Sequence, residues 1–275
     1  MPGGRAHGPP LSEDARAEIM ATADALAETA RRAILPYFRN PALGADNKAA
    51  RGYDPVTEAD RAAEAAMRAE LRRDRPRDGI LGEELGEVPG ESGLTWMIDP
   101  IDGTRAFLAG APTWGVLIAL CDDEGPFYGV IDQPYTGERF SGGLGVARMT
   151  GPHGARTLAT RATRRIEDAI LLTTFPEIGS ADERTGFAEV AARARLVRYG
   201  LDCYAYALLA AGHVDLVIEA GLAPYDIAAP IAVIEAAGGV VTGWRGGPAH
   251  GGGRVLAAAN AELHAAALGI LSRVG

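Results

Sequence analysis

The chain's most chemically loaded stretch is an apolar run that ends in acids, a glycine and a hydroxyl: Trp96-Met97-Ile98-Asp99-Pro100-Ile101-Asp102-Gly103-Thr104. The run reads as a strand, and it stops at two carboxylates three positions apart, Asp99 and Asp102. Such carboxylates supply the oxygen ligands that hard divalent cations take. Gly103 and Thr104 then precede a helical stretch from Arg105, and backbone N–H groups at a helix start receive phosphate. Both chemistries fall within six residues, which predicts a metal-assisted phosphate site.

Other acids could complete it. Glu83-Glu84 follow Gly82 in a turn-rich acidic stretch, Asp226 opens a downstream helix, and Asp60 closes Thr57-Glu58-Ala59-Asp60. Each alone has a plain structural reading. Glu83 would be a solvated loop acid, Asp99 and Asp102 turn and cap residues, and Asp226 a helix N-cap. Asp60 would be the partner of Thr57 in a capping box.

These residues need elements to hold them. Ile19, Ala23, Leu26, Ala30, Ala33 and Tyr37 recur at helical spacing, predicting a helix over about 13–38. A second helix runs over about 57–73 with Thr57 as N-cap. Short apolar runs bounded by turn residues predict strands at 95–98, 115–120, 127–132, 170–173, 215–219 and 255–259. Helices are predicted at 181–194, 204–211, 226–237 and 261–271, the third closed by Gly238-Gly239. Helices alternate with strands, some of them hairpin-like, so the fold class is a mixed α/β layered sandwich rather than a doubly wound parallel sheet. The expected organisation is a disordered leader at 1–11, an N-terminal α+β half at 12–150, and a C-terminal α/β half at 151–275. The N-terminal half carries most of the acids, and the two halves form one compact catalytic unit.

Composition narrows the function class. A formal charge of −9 argues against a nucleic-acid partner held by phosphate neutralisation, but not against a small phosphorylated substrate, since a metal reverses the local field. Two cysteines, Cys121 and Cys203, cannot build a disulfide framework or a Cys-rich zinc site. With no signal-like h-region and no apolar run of membrane-spanning length, the expectation is a cytoplasmic protein with no membrane partner. His153, His250 and His264 are expected at the surface.

Taken jointly, Gly82-Glu83-Glu84, Asp99-Pro100-Ile101-Asp102-Gly103-Thr104, Tyr225-Asp226 and Glu235-Ala236-Ala237-Gly238-Gly239 resemble the inositol monophosphatase-like family of metal-dependent, lithium-sensitive phosphatases. The resemblance covers about residues 15–270. It implies an αβαβα sandwich of the inositol monophosphatase and fructose-1,6-bisphosphatase type, a small phosphomonoester substrate, a homodimer, and two or three Mg²⁺ per active site. It further implies that Glu83, Asp99 and the Ile101 carbonyl hold one ion and that Asp99, Asp102 and Asp226 hold a second. Glu83 would help a third through water. Gly103 and Thr104 would bind the phosphate, and Thr104, paired with Asp60, would orient the attacking water.

Within that family the texture resembles the histidinol-phosphate phosphatase branch, on Asp54-Pro55-Val56-Thr57-Glu58-Ala59-Asp60, Gly129-Val130-Ile131-Asp132-Gln133-Pro134 with Gly137-Glu138-Arg139, Gly200-Leu201-Asp202-Cys203-Tyr204-Ala205-Tyr206 and Pro224-Tyr225-Asp226. Asp202 and Glu219 would then read the amine and imidazole of L-histidinol phosphate. The alternatives are an inositol-1-phosphate phosphatase, another small sugar or nucleotide phosphatase, and, remotely, a non-catalytic regulatory module. The chain departs from the branch at Tyr53-Asp54, at Lys48, at Ala223, and at Ala228-Ala229, where small residues could widen the leaving-group pocket.

Overall fold

Ser12 starts the first helix by accepting the Ala15 N–H on its hydroxyl at 3.2 Å. Acids Glu13 and Asp14 sit in the first turn of α1 (Glu13–Ile34) and Arg31 and Arg32 in its last, as the helix dipole favours. The helix stops short of residue 38 because Pro36 has no N–H to continue it and its ring would meet the carbonyl one turn back. The computed structural model describes residues 11–42, 44–47 and 55–275. Residues 1–10 of the expected leader, Lys48 and Tyr53-Asp54 lie outside the described residues. Leu11, the leader's last residue, packs against the core under α1.

A short antiparallel pair, β1 (Ala45–Asn47) and β2 (Pro55–Thr57), leads into α2 (Glu58–Asp74). The first large sheet comprises β3 (Gly79–Gly82), β4 (Gly86–Val88), β5 (Thr95–Asp102), β6 (Gly115–Cys121), β7 (Pro126–Gln133), β8 (Glu138–Gly143), β9 (Val146–Gly151) and β10 (Gly154–Thr157). Its strand order is β10-β9-β8-β7-β6-β5-β3-β4, antiparallel except for β3 beside β5. A one-turn helix, α3 (Thr104–Leu108), follows β5. The second sheet is built from β11 (Ile170–Thr173), β12 (Leu196–Tyr199), β13 (Leu216–Leu222), β14 (Val240–Thr242) and β15 (Gly253–Ala258), in the order β12-β11-β13-β15-β14. The remaining helices are α4 (Ala181–Ala191), α5 (Tyr204–Ala210), α6 (Pro224–Ala236) and α7 (Ala261–Leu271).

The layers run α1/α2, first sheet, α5/α6, second sheet, α4/α7, with one apolar core at each side of each sheet merging in the middle. This is the expected five-layer α/β sandwich. The middle helix lies close on the first sheet because two strand positions lack a side chain. A Cβ at Gly129 would meet the Ala229 carbonyl at 2.6 Å, and one at Gly142 the Val233 Cα at 2.4 Å. Ala228 and Ala229 are buried in that contact. They pack the middle layer and do not line the catalytic pocket, so they do not widen it. His264 is also inside rather than at the surface, its Nε2 2.8 Å from the Thr242 hydroxyl.

Candidate active site

Asp99 and Asp102 are an odd number of residues apart, so a regular strand would send them to opposite faces. Along β5, Asp99 pairs with Leu117 and Asp102 with Gly115. Three steps on one strand therefore match two on the other, which is a β-bulge, and it flips the second carboxylate back to the first one's side. Pro100 is tolerated there because a bulge frees it from donating to the ladder. The Asp99 Oδ1 accepts the Ile101 N–H at 3.0 Å and closes the bend.

The third acid comes from the opposite layer. Pro224 begins α6, and Asp226 returns its Oδ2 to the Ala223 N–H at 2.7 Å. Asp226 is therefore not the N-cap of α6 but the capping-box partner one turn in, with Ala223 at the cap. Ligand atoms of Asp99, Asp102 and Asp226 all lie within 4.8 Å of one another. Glu83 lines the same pocket, beside Asp99. Burial pushes the Asp99 carboxyl well up, and the charges of Glu83, Asp102 and Asp226 push it further. Burial likewise raises Asp102, with Asp202 and Asp226 adding to it and the Cys203 N–H, 2.6 Å from its Oδ2, opposing. Oxygen donors this crowded and this buried fit a hard divalent cation, whose charge removes their repulsion.

Glu83 is set by α2. Glu64, fully buried, accepts the N–H groups of Glu84 and Leu85 at 2.7 and 3.0 Å and pairs with Arg68 at 2.7 Å. Arg68 also donates to the Gly86 carbonyl. Neither residue figured in the sequence reading. A signal existed: both charges fall in phase with the buried Ala63, Met67 and Leu71 on α2, where a charge needs a partner.

Gly103 caps α3 with φ +84°, and a Cβ there would stand 2.8 Å from Cβ and Cγ of Asp202. The glycine therefore serves both the left-handed backbone and the close approach. The predicted hydrogen bond between Thr104 and Asp60 is not formed. The Thr104 hydroxyl donates to the Ile101 carbonyl at 3.2 Å, while Asp60 Oδ2 takes the Thr57 N–H at 2.8 Å and its hydroxyl at 2.5 Å. The capping-box geometry competes for that carboxylate and holds one of its oxygens. Its other oxygen, Oδ1, is buried with no hydrogen-bond partner, and burial raises the carboxyl, with the Glu83 charge a lesser push.

The pocket encloses about 300 Å³, and its lining includes both expected substrate acids. Asp202, at φ +46°, leans on Gly103 and accepts the Thr113 hydroxyl at 3.4 Å. It is not the cap of α5, which Cys203 occupies. Burial pushes its carboxyl up to about 6, against the pull of Thr113 and Arg105. Glu219, 6% exposed, accepts the Thr174 N–H at 2.6 Å and the Thr173 hydroxyl at 3.1 Å. Burial pushes it up to about 7, with those donors opposing. Tyr206, within the branch-like stretch 200–206, and Phe175, which nothing in the sequence marked, also line the pocket.

The profile of the inositol monophosphatase family matches residues 15–274. The chain belongs to this family. It is accordingly a phosphoric monoester hydrolase of a metal-dependent family. Among relatives, this inositol monophosphatase-family chain is 41% identical over 238 residues to the bifunctional phosphatase IMPL2, chloroplastic, of Arabidopsis thaliana, covering 86% of this chain and 67% of that protein. It is 38% identical over 218 residues to the histidinol-phosphatase of Mycobacterium tuberculosis, covering 76% and 82%. In structure it is similar to an inositol monophosphatase from Zymomonas mobilis, with a TM-score of 0.82 and 39% identity, covering 94% of this chain and 98% of that one.

Proposed function

We propose that this protein is a Mg²⁺-dependent phosphatase that hydrolyses L-histidinol phosphate to L-histidinol and phosphate by attack of water. One observation carries the substrate. Two acids with raised carboxyls, the half-buried Asp202 and the buried Glu219, line the pocket that also holds Asp99, Asp102 and Asp226. Histidinol presents an amine and an imidazole, and a bound cation restores the ionisation that burial opposes. An inositol ring offers hydroxyls, which repay two such carboxylates less well. Each Glu219 oxygen carries one hydrogen bond, and a carboxylate oxygen can accept another. The histidinol-phosphatase relative at 38% identity supports this reading; the likeness to a solved inositol monophosphatase favours inositol 1-phosphate as the second one.

In this reading Glu83, Asp99, Asp102, Asp226 and the Ile101 carbonyl would hold two or three ions. Such ions polarise the phosphate, lower the pKa of water and stabilise the leaving oxygen. The N–H groups of Gly103 and Thr104 bind phosphate oxygens. The Thr104 hydroxyl would orient the attacking water, and Asp60, whose Oδ1 is buried with no hydrogen-bond partner, would accept the Thr104 proton once that hydroxyl leaves the Ile101 carbonyl. The enzyme acts as a homodimer, as the family resemblance implies; a monomer by sedimentation would remove that part alone.

The test is phosphate release with Mg²⁺ from L-histidinol phosphate and inositol 1-phosphate at equal concentration. The expected preference in kcat/KM is about a hundredfold for histidinol phosphate, or roughly 2.7 kcal/mol. Preference for inositol phosphate, or equally slow turnover of both, would overturn the assignment of Asp202 and Glu219 and leave the metal chemistry standing.

A further inference from the structure

Phe175 is a large apolar side chain left 45% exposed, and it lines the catalytic pocket. Two attachments fix it. It directly follows Thr173 and Thr174, whose hydroxyl and backbone N–H hold Glu219, so the end of β11 sets ring and acid as one unit. From the other side, the guanidinium carbon of Arg105 stands 5.1 Å from the ring centroid, within cation–π range. Arg105 is the residue after Thr104 and also lines the pocket. The ring is thereby tied between the phosphate-side helix α3 and the leaving-group acid, with nearly half of its surface still open. An apolar face held in place and left open to water is favourable to cover, and a ring covers another best by offset or edge-to-face contact.

We infer that Phe175 is a specificity-determining shelf on which a planar aromatic ring of the phosphoester's leaving group stacks while Glu219 binds that group's cation. That the ring carried by the leaving group is an imidazole rests on the function proposed above; the preference for a flat π-face rests on the Phe175 ring alone. A puckered polyol presents hydroxyls and C–H edges to the ring and gains less.

Phe175→Leu keeps apolar bulk and removes the π-face, and Phe175→Tyr keeps the ring. Each is compared with wild type in kcat and KM, with saturating Mg²⁺, for L-histidinol phosphate, phenyl phosphate and glycerol 2-phosphate. Taking variant-to-wild-type ratios within each substrate cancels differences in leaving-group chemistry. The expected result for Phe175→Leu is a KM about fivefold higher for both planar esters, with glycerol 2-phosphate unchanged and Phe175→Tyr restoring the wild-type values. An equal loss on all three substrates would make the ring a general support of the pocket, and a loss on L-histidinol phosphate alone would make it a mere prop for Glu219; either would overturn the shelf. No loss on any would overturn it too, as would a loss accompanied by a change of oligomeric state in sedimentation, which would make the ring a subunit contact. Phenyl phosphate carries no amine. The shelf can therefore hold when wild type fails to prefer histidinol phosphate over inositol 1-phosphate, and the substrate assignment can hold when the shelf fails.

Discussion

Glu219 links its own burial to two pH effects of opposite sense. Burial raises its carboxyl from an ordinary 4.5 to about 7. The folded protein then binds more protons than the unfolded chain from about pH 4.5 to about pH 7, so Glu219's contribution to stability falls as pH rises through that window and is lowest above it. In metal-free protein, Glu219→Gln should therefore unfold at a higher temperature than wild type at about pH 8, the gap closing toward about pH 5. Calorimetry at the two pH values checks this, and a gap independent of pH would remove the linkage. Recognition of a cation needs the ionised acid instead. The KM for L-histidinol phosphate should fall as pH rises through about 7 in wild type and stay flat in the Gln variant. Asp99 makes a second demand on a single residue. Its buried carboxyl is crowded by three others, so Asp99→Asn should abolish turnover, at least about a thousandfold, while the metal-free fold is retained; near-normal activity would reject its bridging role. The acids were legible because five of the site's residues fall in one short run that few other functions would require. The Thr104 hydroxyl and the second Asp60 oxygen were not, because hydrogen-bond choice among close neighbours is set by tertiary geometry. Phe175 and Glu64 were hidden in ordinary local patterns.

At the scale of elements, the site is a junction of strand end, one-turn helix and helix start, where Gly103 packs directly against Asp202. Alanine at 103 would meet both a left-handed φ and a contact of 2.8 Å. Gly103→Ala should cost about 2 kcal/mol, read as a lower urea midpoint at unchanged slope. Adding Asp202→Gly, at a position already in the left-handed region, should return most of that stability without returning preference for a cationic leaving group. A double variant as unstable as the single one would place the strain elsewhere. The sequence reading found β5, β6, β7, β11, β13 and β15 because their apolar runs are unbroken. It does not predict β1, β2, β3, β4, β8, β9, β10, β12 and β14, which are short, and most of which are rich in glycine or charge or largely exposed or half-buried. Such strands are stabilised by a neighbour's ladder rather than by their own pattern. The bulge that aligns Asp99 with Asp102 was equally invisible, since Pro100 reads as a strand terminator until its partner β6 is known.

Across the whole molecule, the acids of the site are drawn from separate layers. Asp99 and Asp102 end a strand of the first sheet, and Asp226 begins the helix that fills the space between the sheets. A chain of net charge −9 thus concentrates like charges where its middle layer meets its first sheet, and their repulsion acts against the closed arrangement. A cation that binds only this arrangement must stabilise it by mass action, by about 2.7 kcal/mol at a hundred times its Kd. For a chain of this size that corresponds to a rise in Tm of roughly 5 °C. Mg²⁺ should produce that rise in wild type and a much smaller one in Asp226→Asn, whose metal titration should also shift to higher concentration. NaCl at equal ionic strength controls for screening, because exposed charges respond to any salt while a coordinating pocket does not. A wild-type shift no larger with Mg²⁺ than with NaCl would sink the three-carboxylate metal site. An Asp226→Asn response equal to wild type would leave a metal bound by the first sheet alone and exclude α6 from holding it.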